Sequence, residues 1–218
     1  VDLGVKRLKI AGFESTDYRF VEMVASTGLP LIISLGIGFE YENMSPLLDI
    51  LEKYDNHLTL LHCNNAYPTP ESEINLATLE TLKSFKNVNS IGLSDHTIST
   101  LTPSIAVALG ANVIEKHFTL KKTLPGPDHA FALEPKELDE MINNIVITES
   151  MIGKQKPKYS KSELSFVQAR RSVVAKSNIK IGDQLTVDNI TTKRPYLKGN
   201  VAASEWSNVL GTIASKDY

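Results

Sequence analysis

Two histidines of this chain each follow a short apolar run and stand among polar residues. His96 closes the sequence Ser94-Asp95-His96, and His117 closes Glu115-Lys116-His117. In a barrel of parallel strands, residues directly after a strand lie at the carboxyl mouth, where active sites are built. Two imidazoles there, with oxygen ligands beside them, can hold a divalent cation and leave positions open for substrate. The spacing therefore predicts an enzyme with metal ligands at His96 and His117.

The ligand types narrow the choice of metal. Mixed imidazole and oxygen ligation suits Mn²⁺ or Mg²⁺. A structural zinc site is the alternative. It is disfavoured because no further Cys or His falls at zinc-ligand spacing in the sequence.

Other polar residues lie on the predicted strands or after them, and on local grounds three of them have a structural alternative. The candidates are Lys9, Asn65, Tyr67, Ser94 and Asp128. Lys9 could lay its stem along apolar surface, Tyr67 could brace a proline-rich loop, and Asp128 could be a turn residue. Two residues inside the third predicted strand, His62 and Cys63, are expected to be buried structural side chains.

The composition excludes several classes of protein. The chain has 218 residues, 42% of them hydrophobic, and a net charge of -2, so it offers no basic field for nucleic acid or membrane lipid. It contains no apolar stretch of the roughly 20 residues that span a membrane. The single cysteine, Cys63, excludes an internal disulfide framework and fits a reducing compartment such as the cytoplasm.

Short apolar runs alternate with helical patterns over the first two thirds of the chain. The predicted strands are residues 8–11, 30–35, 58–63, 90–93 and 112–115. The predicted helices are residues 17–26, 45–54, 71–85, 101–109 and 134–152. Repeated strand–helix units imply a parallel sheet, and so an α/β fold. Because five units are too few for a closed eight-stranded barrel, either the sheet is an open doubly wound one or amino-terminal strands are missing.

The composition and the pattern of the sequence change after Gly153. Residues 154–164 form a polar stretch with Lys and Pro that is typical of a linker. Residues 165–218 then predict a small β-rich domain, with a strand beginning at Arg170. In that domain a helical turn over residues 186–190 is expected, with Thr186 as its cap.

Three long motifs resemble the sialic acid synthase family. They are Leu61-His62-Cys63-Asn64-Asn65-Ala66-Tyr67-Pro68-Thr69-Pro70, Ile91-Gly92-Leu93-Ser94-Asp95-His96-Thr97, and Ile114-Glu115-Lys116-His117-Phe118-Thr119, the last followed by Gly126-Pro127-Asp128. This family makes N-acetylneuraminate and related nonulosonates such as pseudaminate and legionaminate, and it includes spore-coat polysaccharide synthases. The stretch from Arg170-Arg171-Ser172 to Lys193-Arg194-Pro195 resembles the family's carboxyl-terminal antifreeze-like (SAF) domain.

The resemblance implies a partial TIM barrel (strands 4–8) in residues 1–153, followed by a small β-rich SAF domain. It implies metal ligation by His96 and His117, with Lys9, Asn65 and Ser94 holding phosphoenolpyruvate. Tyr67 and Asp128 would face the sugar and act in catalysis with His117. Arg194 would reach from the SAF domain of one subunit into the barrel of its partner, in a domain-swapped homodimer.

The implied reaction condenses phosphoenolpyruvate with the aldehyde of an open-chain acylamino sugar such as N-acetylmannosamine and releases phosphate. The sequence departs from the family pattern in three ways. The first three barrel strands have no counterpart, so residues 1–218 alone are expected to be inactive. Gly12 stands where the family usually has a phosphate-binding serine, and residues 196–200 replace a Gly-rich turn.

Two rival readings stay open. One is another phosphoenolpyruvate-dependent sugar synthase or an ordinary aldolase, for which Lys9 or Lys116 could supply a Schiff-base amine. The other is a catalytically inactive barrel whose SAF region binds carbohydrate or ice.

Overall fold

The computed structural model describes residues 2–154 and 158–218. Residues 155–157 of the predicted linker lie outside the described residues. The chain divides into two compact units, Val1–Gly153 and Lys154–Tyr218. Among the described residues, no helix is both long and apolar enough to cross a membrane.

The first unit alternates strands and helices along the chain. Its elements are β1 (Leu8–Ile10), α1 (Tyr18–Ala25), β2 (Leu31–Leu35), α2 (Ser45–Glu52), β3 (Leu58–Cys63), α3 (Thr78–Lys83), β4 (Ser90–Asp95), α4 (Thr102–Ala108), β5 (Val113–Lys116) and α5 (Pro135–Ile152). All four strand pairings are parallel, and the spatial order of the strands is β1-β2-β3-β4-β5. A doubly wound sheet would reverse its strand order at a switch point. The sequential order instead belongs to a curled half-barrel.

The two faces of this sheet differ because successive side chains along a strand point in opposite directions. One set of alternate residues is apolar and buried, and it packs against the helices as the hydrophobic core. That set includes Ile10, Leu31, Ile33, Leu60 and Leu93. The other set carries most of the candidate site residues and lines the concave face.

Local chemistry explains where the helices begin and end. Asp17 caps α1, its Oδ1 accepting from the Phe20 N–H at 3.1 Å. A capping box between Glu134 and Glu137 starts α5. That helix ends as predicted at Gly153, whose φ of 54° suits glycine.

The prediction of one helix over residues 71–85 is wrong. A 3-10 turn (Glu71–Glu73) is followed by Asn75 in the left-handed region, with φ 48°, and α3 begins only at Thr78. Two carbonyls that a continuous helix would use internally are taken by one side chain on β3 and one directly after it. His62 Nε2 donates to the Ile74 carbonyl at 2.6 Å, and Asn64 Nδ2 donates to that of Glu73 at 3.2 Å. The apolar spacing is helical, but tertiary hydrogen bonds interrupt the helix.

The second unit is built on a small antiparallel pair. It contains a 3-10 helix (Leu164–Ala169), β6 (Ser172–Ala175), β7 (Ile190–Lys193) and the short α6 (Trp206–Val209). Ile179, Ile190 and Ala214 form its buried core. The predicted helical turn at Thr186 is confirmed, since the carbonyl of Thr186 accepts from the Ile190 N–H at 3.0 Å and its Oγ1 from the Asp188 N–H at 3.3 Å.

Candidate active site

The alternation of side chains along the strands brings most of the predicted site residues to one face. In the sheet register Ser94 pairs with Glu115 and Cys63 with Ser94. Since residues two apart share a face, Asn65, His96 and His117 follow on the same side as their neighbours at 63, 94 and 115. The concave face therefore carries a polar constellation at the carboxyl ends of its strands.

An acid that the sequence analysis did not select, Glu115, joins two predicted substrate-binding residues. Its Oε1 accepts from Lys9 Nζ at 3.0 Å and from Ser94 Oγ at 2.6 Å. Lys9 lies on β1 and Glu115 on β5, strands that do not pair with each other. The contact thus spans the concave face. In the sequence, the available signal for Glu115 as a site residue was its position directly before Lys116-His117.

Asn65 lies over the ends of β1 and β2 in a space kept open by two glycines. A Cβ at Gly36 would lie 1.8 Å from Asn65 Oδ1, and one at Gly12 would lie 2.8 Å from the same atom. Asn65 Oδ1 accepts from the Ile37 N–H at 2.7 Å, which holds the amide in place. A serine at position 12 would therefore require Asn65 to shift, which gives Gly12 a steric role in this chain.

His96 is held by the loop that follows β3. Its Nδ1 lies 2.6 Å from the Asn64 carbonyl, and its own carbonyl accepts from the Thr69 N–H at 2.9 Å. Because a carbonyl can only accept, Nδ1 must carry the proton. In the neutral ring this leaves the lone pair on Nε2. Burial is the largest cause that lowers the pKa of His96, and it favours that neutral ring.

Aromatic rings pack around both histidines. The Tyr67 ring lies 4.2 Å from that of His96 and 5.8 Å from that of His117, centroid to centroid. Phe131 closes the group, 5.0 Å from His117. Tyr67 keeps 42% of its surface exposed, so one side of the cluster stays open to solvent or ligand. Asp128 is more exposed, and its Oδ2 lies 3.7 Å from His117 Nδ1, beyond hydrogen-bond distance.

A buried ion pair lies on the other side of the sheet from the two histidines. Lys116 Nζ donates to Asp95 Oδ2 at 2.7 Å, and the side chains are 5% and 0% exposed. Lys116 also donates to the carbonyls of Thr97 and Ser99, which fixes the loop after β4. The pKa of this lysine is lowered, and burial is the largest cause. Since Asp95 and Lys116 directly precede His96 and His117, the pair fixes the backbone from which both imidazoles project.

The donor set fits a divalent cation that keeps some of its coordination positions open. The rings of His96 and His117 lie 5.3 Å apart between centroids, near enough to share an ion at the usual metal–nitrogen distance of about 2 Å. The Nδ1 contact of His96 to a carbonyl is the usual outer partner of a metal-binding imidazole. Across the two described ranges, no group of three or more His, Cys, Asp and Glu side chains converges as a complete metal cage. Water or substrate oxygens would therefore have to fill the remaining positions.

Two further residues of the concave face were not selected from the sequence as site residues. Ser34 is 1% exposed, and its Oγ has no hydrogen-bond partner within the described part of the chain. A buried hydroxyl without a partner is costly unless a ligand or water satisfies it. Cys63 is also buried, with Sγ 3.9 Å from His96 Nδ1, and burial raises its thiol pKa. His62, in contrast, points away into the core, as expected of a structural residue.

Arg194 belongs to the second unit, on the loop after β7. It is exposed, and among residues 2–154 and 158–218 no hydrogen bond or ion pair engages its guanidinium. Its predicted contact with a sugar stays a prediction.

A parallel sheet curled around polar residues at the carboxyl ends of its strands defines the class of barrel enzymes. Comparison with known proteins is more specific. Residues 1–157 match the model of the NeuB family, and residues 170–217 match that of the SAF domain. The chain belongs to the NeuB family.

Individual relatives agree with this assignment. The chain is 45% identical over 198 residues to an uncharacterized protein of Methanocaldococcus jannaschii, covering 88% of this chain and 57% of the relative. It is 36% identical over 221 residues to the N,N'-diacetyllegionaminic acid synthase of Legionella pneumophila, covering 99% and 61%. A solved structure, the N-acetylneuraminic acid synthetase of Leptospira borgpetersenii in complex with citrate, matches with a TM-score of 0.70 at 34% identity, over 77% of this chain and 58% of that one. The chain thus spans about three fifths of the length of the curated relatives it matches.

Proposed function

We propose that this chain is the metal-binding part of a nonulosonic acid synthase. The enzyme would join phosphoenolpyruvate to the aldehyde of an open-chain acylamino sugar and release phosphate. The observation that carries the proposal is the convergence of Lys9, Asn65, Ser94, His96 and His117 on one concave face. This set combines a cation and neutral donors for an enol phosphate with imidazoles for a metal.

The proposed phosphoenolpyruvate site lies around Lys9. Its ammonium group supplies a charge for the phosphate or carboxylate, and Ser94 supplies a hydroxyl. The hydroxyl of Ser34, which has no hydrogen-bond partner among the described residues, and the amide of Asn65 add donors on the same face. Glu115 pairs with Lys9 at 3.0 Å. Bound phosphate would compete with Glu115 for that charge.

Next to that site, His96 and His117 would hold Mn²⁺ or Mg²⁺. Bound there, the cation would polarise the aldehyde of the sugar. His96 would bind through Nε2, because its Nδ1 is committed to the Asn64 carbonyl.

The remaining residues would orient the sugar and move protons. Tyr67 offers an exposed ring face above both imidazoles. Asp128 is close to His117 and exposed enough to reach a sugar hydroxyl or an attacking water. The π electrons of the enol phosphate form a bond from its methylene carbon to the aldehyde carbon, whose oxygen takes a proton, and a cation is left at the former enol carbon. Water then adds to the former enol carbon and loses a proton to a base such as Asp128. The carbon–oxygen bond to phosphate breaks, phosphate leaves with the electron pair, and the hydroxyl at that carbon gives its proton to the phosphate and becomes the ketone.

We assign Arg194 to the acylamino group of the sugar, supplied by the SAF unit of a second subunit in a domain-swapped homodimer. Its exposed guanidinium without a partner among the described residues supports that role. A cytoplasmic location fits the single cysteine and the substrates.

The rival aldolase mechanism has weaker support. A Schiff base needs an accessible amine, and Lys116 is a buried lysine committed to Asp95 and two carbonyls. Lys9 alone remains a candidate. Borohydride reduction in the presence of a sugar aldehyde should leave no adduct on either lysine. A trapped adduct on Lys9 would favour the aldolase.

Phosphate release by the full-length protein tests the proposed function. The assay contains phosphoenolpyruvate, Mn²⁺ and a panel of open-chain acylamino sugars. Release should require both the sugar and the metal, and Asp128→Asn should slow it by about 100-fold or more. The exposed Asp49→Asn is the matched control. Phosphate release that ignores the sugar, or an unchanged Asp128→Asn variant, would contradict the proposal.

A further inference from the structure

The second unit contains a cavity that the proposed reaction does not use. Its volume is about 590 Å³, within the range of small-molecule sites. Residues of chemical interest in its lining are Lys158, Tyr159, Arg170, Tyr196, Asn200 and Glu205. Tyr196 and Asn200 belong to the loop that follows Arg194-Pro195, so this loop builds part of the cavity.

Arg170 lies in this cavity and makes no ion pair with a carboxylate of the described residues. Its guanidinium lies 4.6 Å from the Tyr196 ring centroid and 5.9 Å from that of Tyr159. Nη1 donates to the Tyr159 hydroxyl at 2.5 Å. Aromatic packing holds the planar group in place while leaving most of its donors unused. Among the residues that the structure describes, no carboxylate pairs with Arg170 or with Lys158.

The rest of the lining suits hydroxyl groups and a sugar ring. Glu205 carries a carboxylate whose Oε2 accepts from Asn208 Nδ2 at 2.7 Å, and its other oxygen remains available to accept from a hydroxyl. Asn200 Nδ2 lies 3.4 Å from Ser172 Oγ, which leaves its amide oxygen free. Two tyrosine rings supply flat apolar faces. The lining thus combines cations, aromatic faces and hydroxyl partners.

We propose that this cavity binds a monosaccharide bearing a carboxylate. The carboxylate would lie against Arg170, whose fork matches two oxygens, with Lys158 beside it. The ring would pack on Tyr159 or Tyr196, and the hydroxyls would contact Glu205 and Asn200. The choice of ligand follows from this lining and does not depend on the reaction proposed for the barrel unit.

Ligand-observed NMR on the 218-residue chain tests the proposal. The probe is N-acetylneuraminate, compared with its methyl ester, N-acetylmannosamine and inorganic phosphate. We expect saturable binding of the acid, at least tenfold weaker binding of the ester and the neutral sugar, and no displacement by phosphate at equal concentration. Equal binding of acid and ester, displacement by phosphate, or no saturable binding would each overturn the proposal.

Variants locate the bound sugar. Arg170→Met should weaken binding at least tenfold. Arg171→Met is the matched control, because Arg171 Nη1 donates to the Thr192 carbonyl and Arg171 is not among the cavity's lining residues. Tyr159→Phe keeps the ring but releases one donor of Arg170, so binding should be unchanged or tighter. If Arg170→Met fails to fold, weaker binding by Tyr159→Phe would still overturn the proposal.

Barrel variants separate this site from the proposed active site. Lys9→Met should leave binding of the acid unchanged, whatever its effect on phosphate release. Loss of binding in Lys9→Met with retention in Arg170→Met would place the sugar in the barrel unit and overturn the proposal.

Discussion

Lys9 Nζ donates to Glu115 Oε1 at 3.0 Å across the concave face, although the two residues are 106 positions apart in the chain. They lie on the first and last strands of a sheet in which β1 and β5 do not pair. Only a strong curl of the sheet brings them together. The contact therefore reflects the half-barrel shape of the sheet.

The Lys9–Glu115 pair predicts opposite effects of two substitutions on phosphate binding. Lys9→Met should weaken binding of phosphoenolpyruvate by about tenfold to a hundredfold, because a charged hydrogen bond contributes about 1.5–3 kcal/mol. Glu115→Gln should strengthen it by about 1.4-fold to fivefold, because a partly exposed ion pair costs about 0.2–1 kcal/mol to break. Isothermal titration measures both. Lys53→Met, which removes another partly exposed ion pair, with Glu22, should change nothing. Weaker binding by Glu115→Gln would show that the carboxylate supports the ligand.

We expect the affinity for Mn²⁺ to depend on the imidazoles of both His96 and His117. His96→Gln or His117→Gln should lower Mn²⁺ affinity by at least about a hundredfold, because each removes an imidazole ligand. Direct titration with Mn²⁺ provides the measurement and needs no catalytic turnover. His57→Gln is the control, since His57 is exposed and lies before the amino end of β3. Unchanged affinity in both imidazole variants would remove the metal site.

Breaking the buried Lys116–Asp95 pair should destabilise the fold strongly. Lys116→Met leaves an unpaired carboxylate whose side chain is 0% exposed, for which a loss of about 3–5 kcal/mol in unfolding free energy is expected. Urea denaturation measures the loss. Lys122→Met breaks a pair that is about one third exposed and should cost less than about 1 kcal/mol. Adding Asp95→Asn to Lys116→Met should recover part of the loss, and failure to do so would contradict the electrostatic explanation.

Because of His62, we expect the folded chain to be less stable in acid. Burial is the largest cause that lowers the pKa of His62 below the ordinary value of 6.5. The imidazole therefore binds a proton more readily in the unfolded chain than in the folded one. The contribution of His62 is therefore complete above pH 6.5 and is lost as the pH falls below that value. The urea midpoint should drop between pH 7 and pH 5, and His62→Gln should show a smaller drop. An equal drop in both proteins would assign the pH dependence to other groups.

Sequence periodicity predicted the helices well except where tertiary contacts compete. Residues 71–85 have helical spacing, yet the carbonyls of Glu73 and Ile74 are taken by Asn64 and His62 from another element. No local pattern contains that competition, because the partners lie at least nine residues away. The break at Asn75 follows from the packed sheet.

By itself the sequence determined the parallel strand–helix order, the polar residues at strand ends and the family motifs, because these depend on local spacing and residue type. It also selected His96 and His117. The tertiary structure alone decided which polar residues meet. Glu115 joined Lys9 and Ser94, Ser34 became a buried hydroxyl without a partner in the described chain, and Lys116 turned to the opposite face. The physical reason is that side chains alternate between two faces, and only the curl of the sheet brings one of those faces together around a common centre.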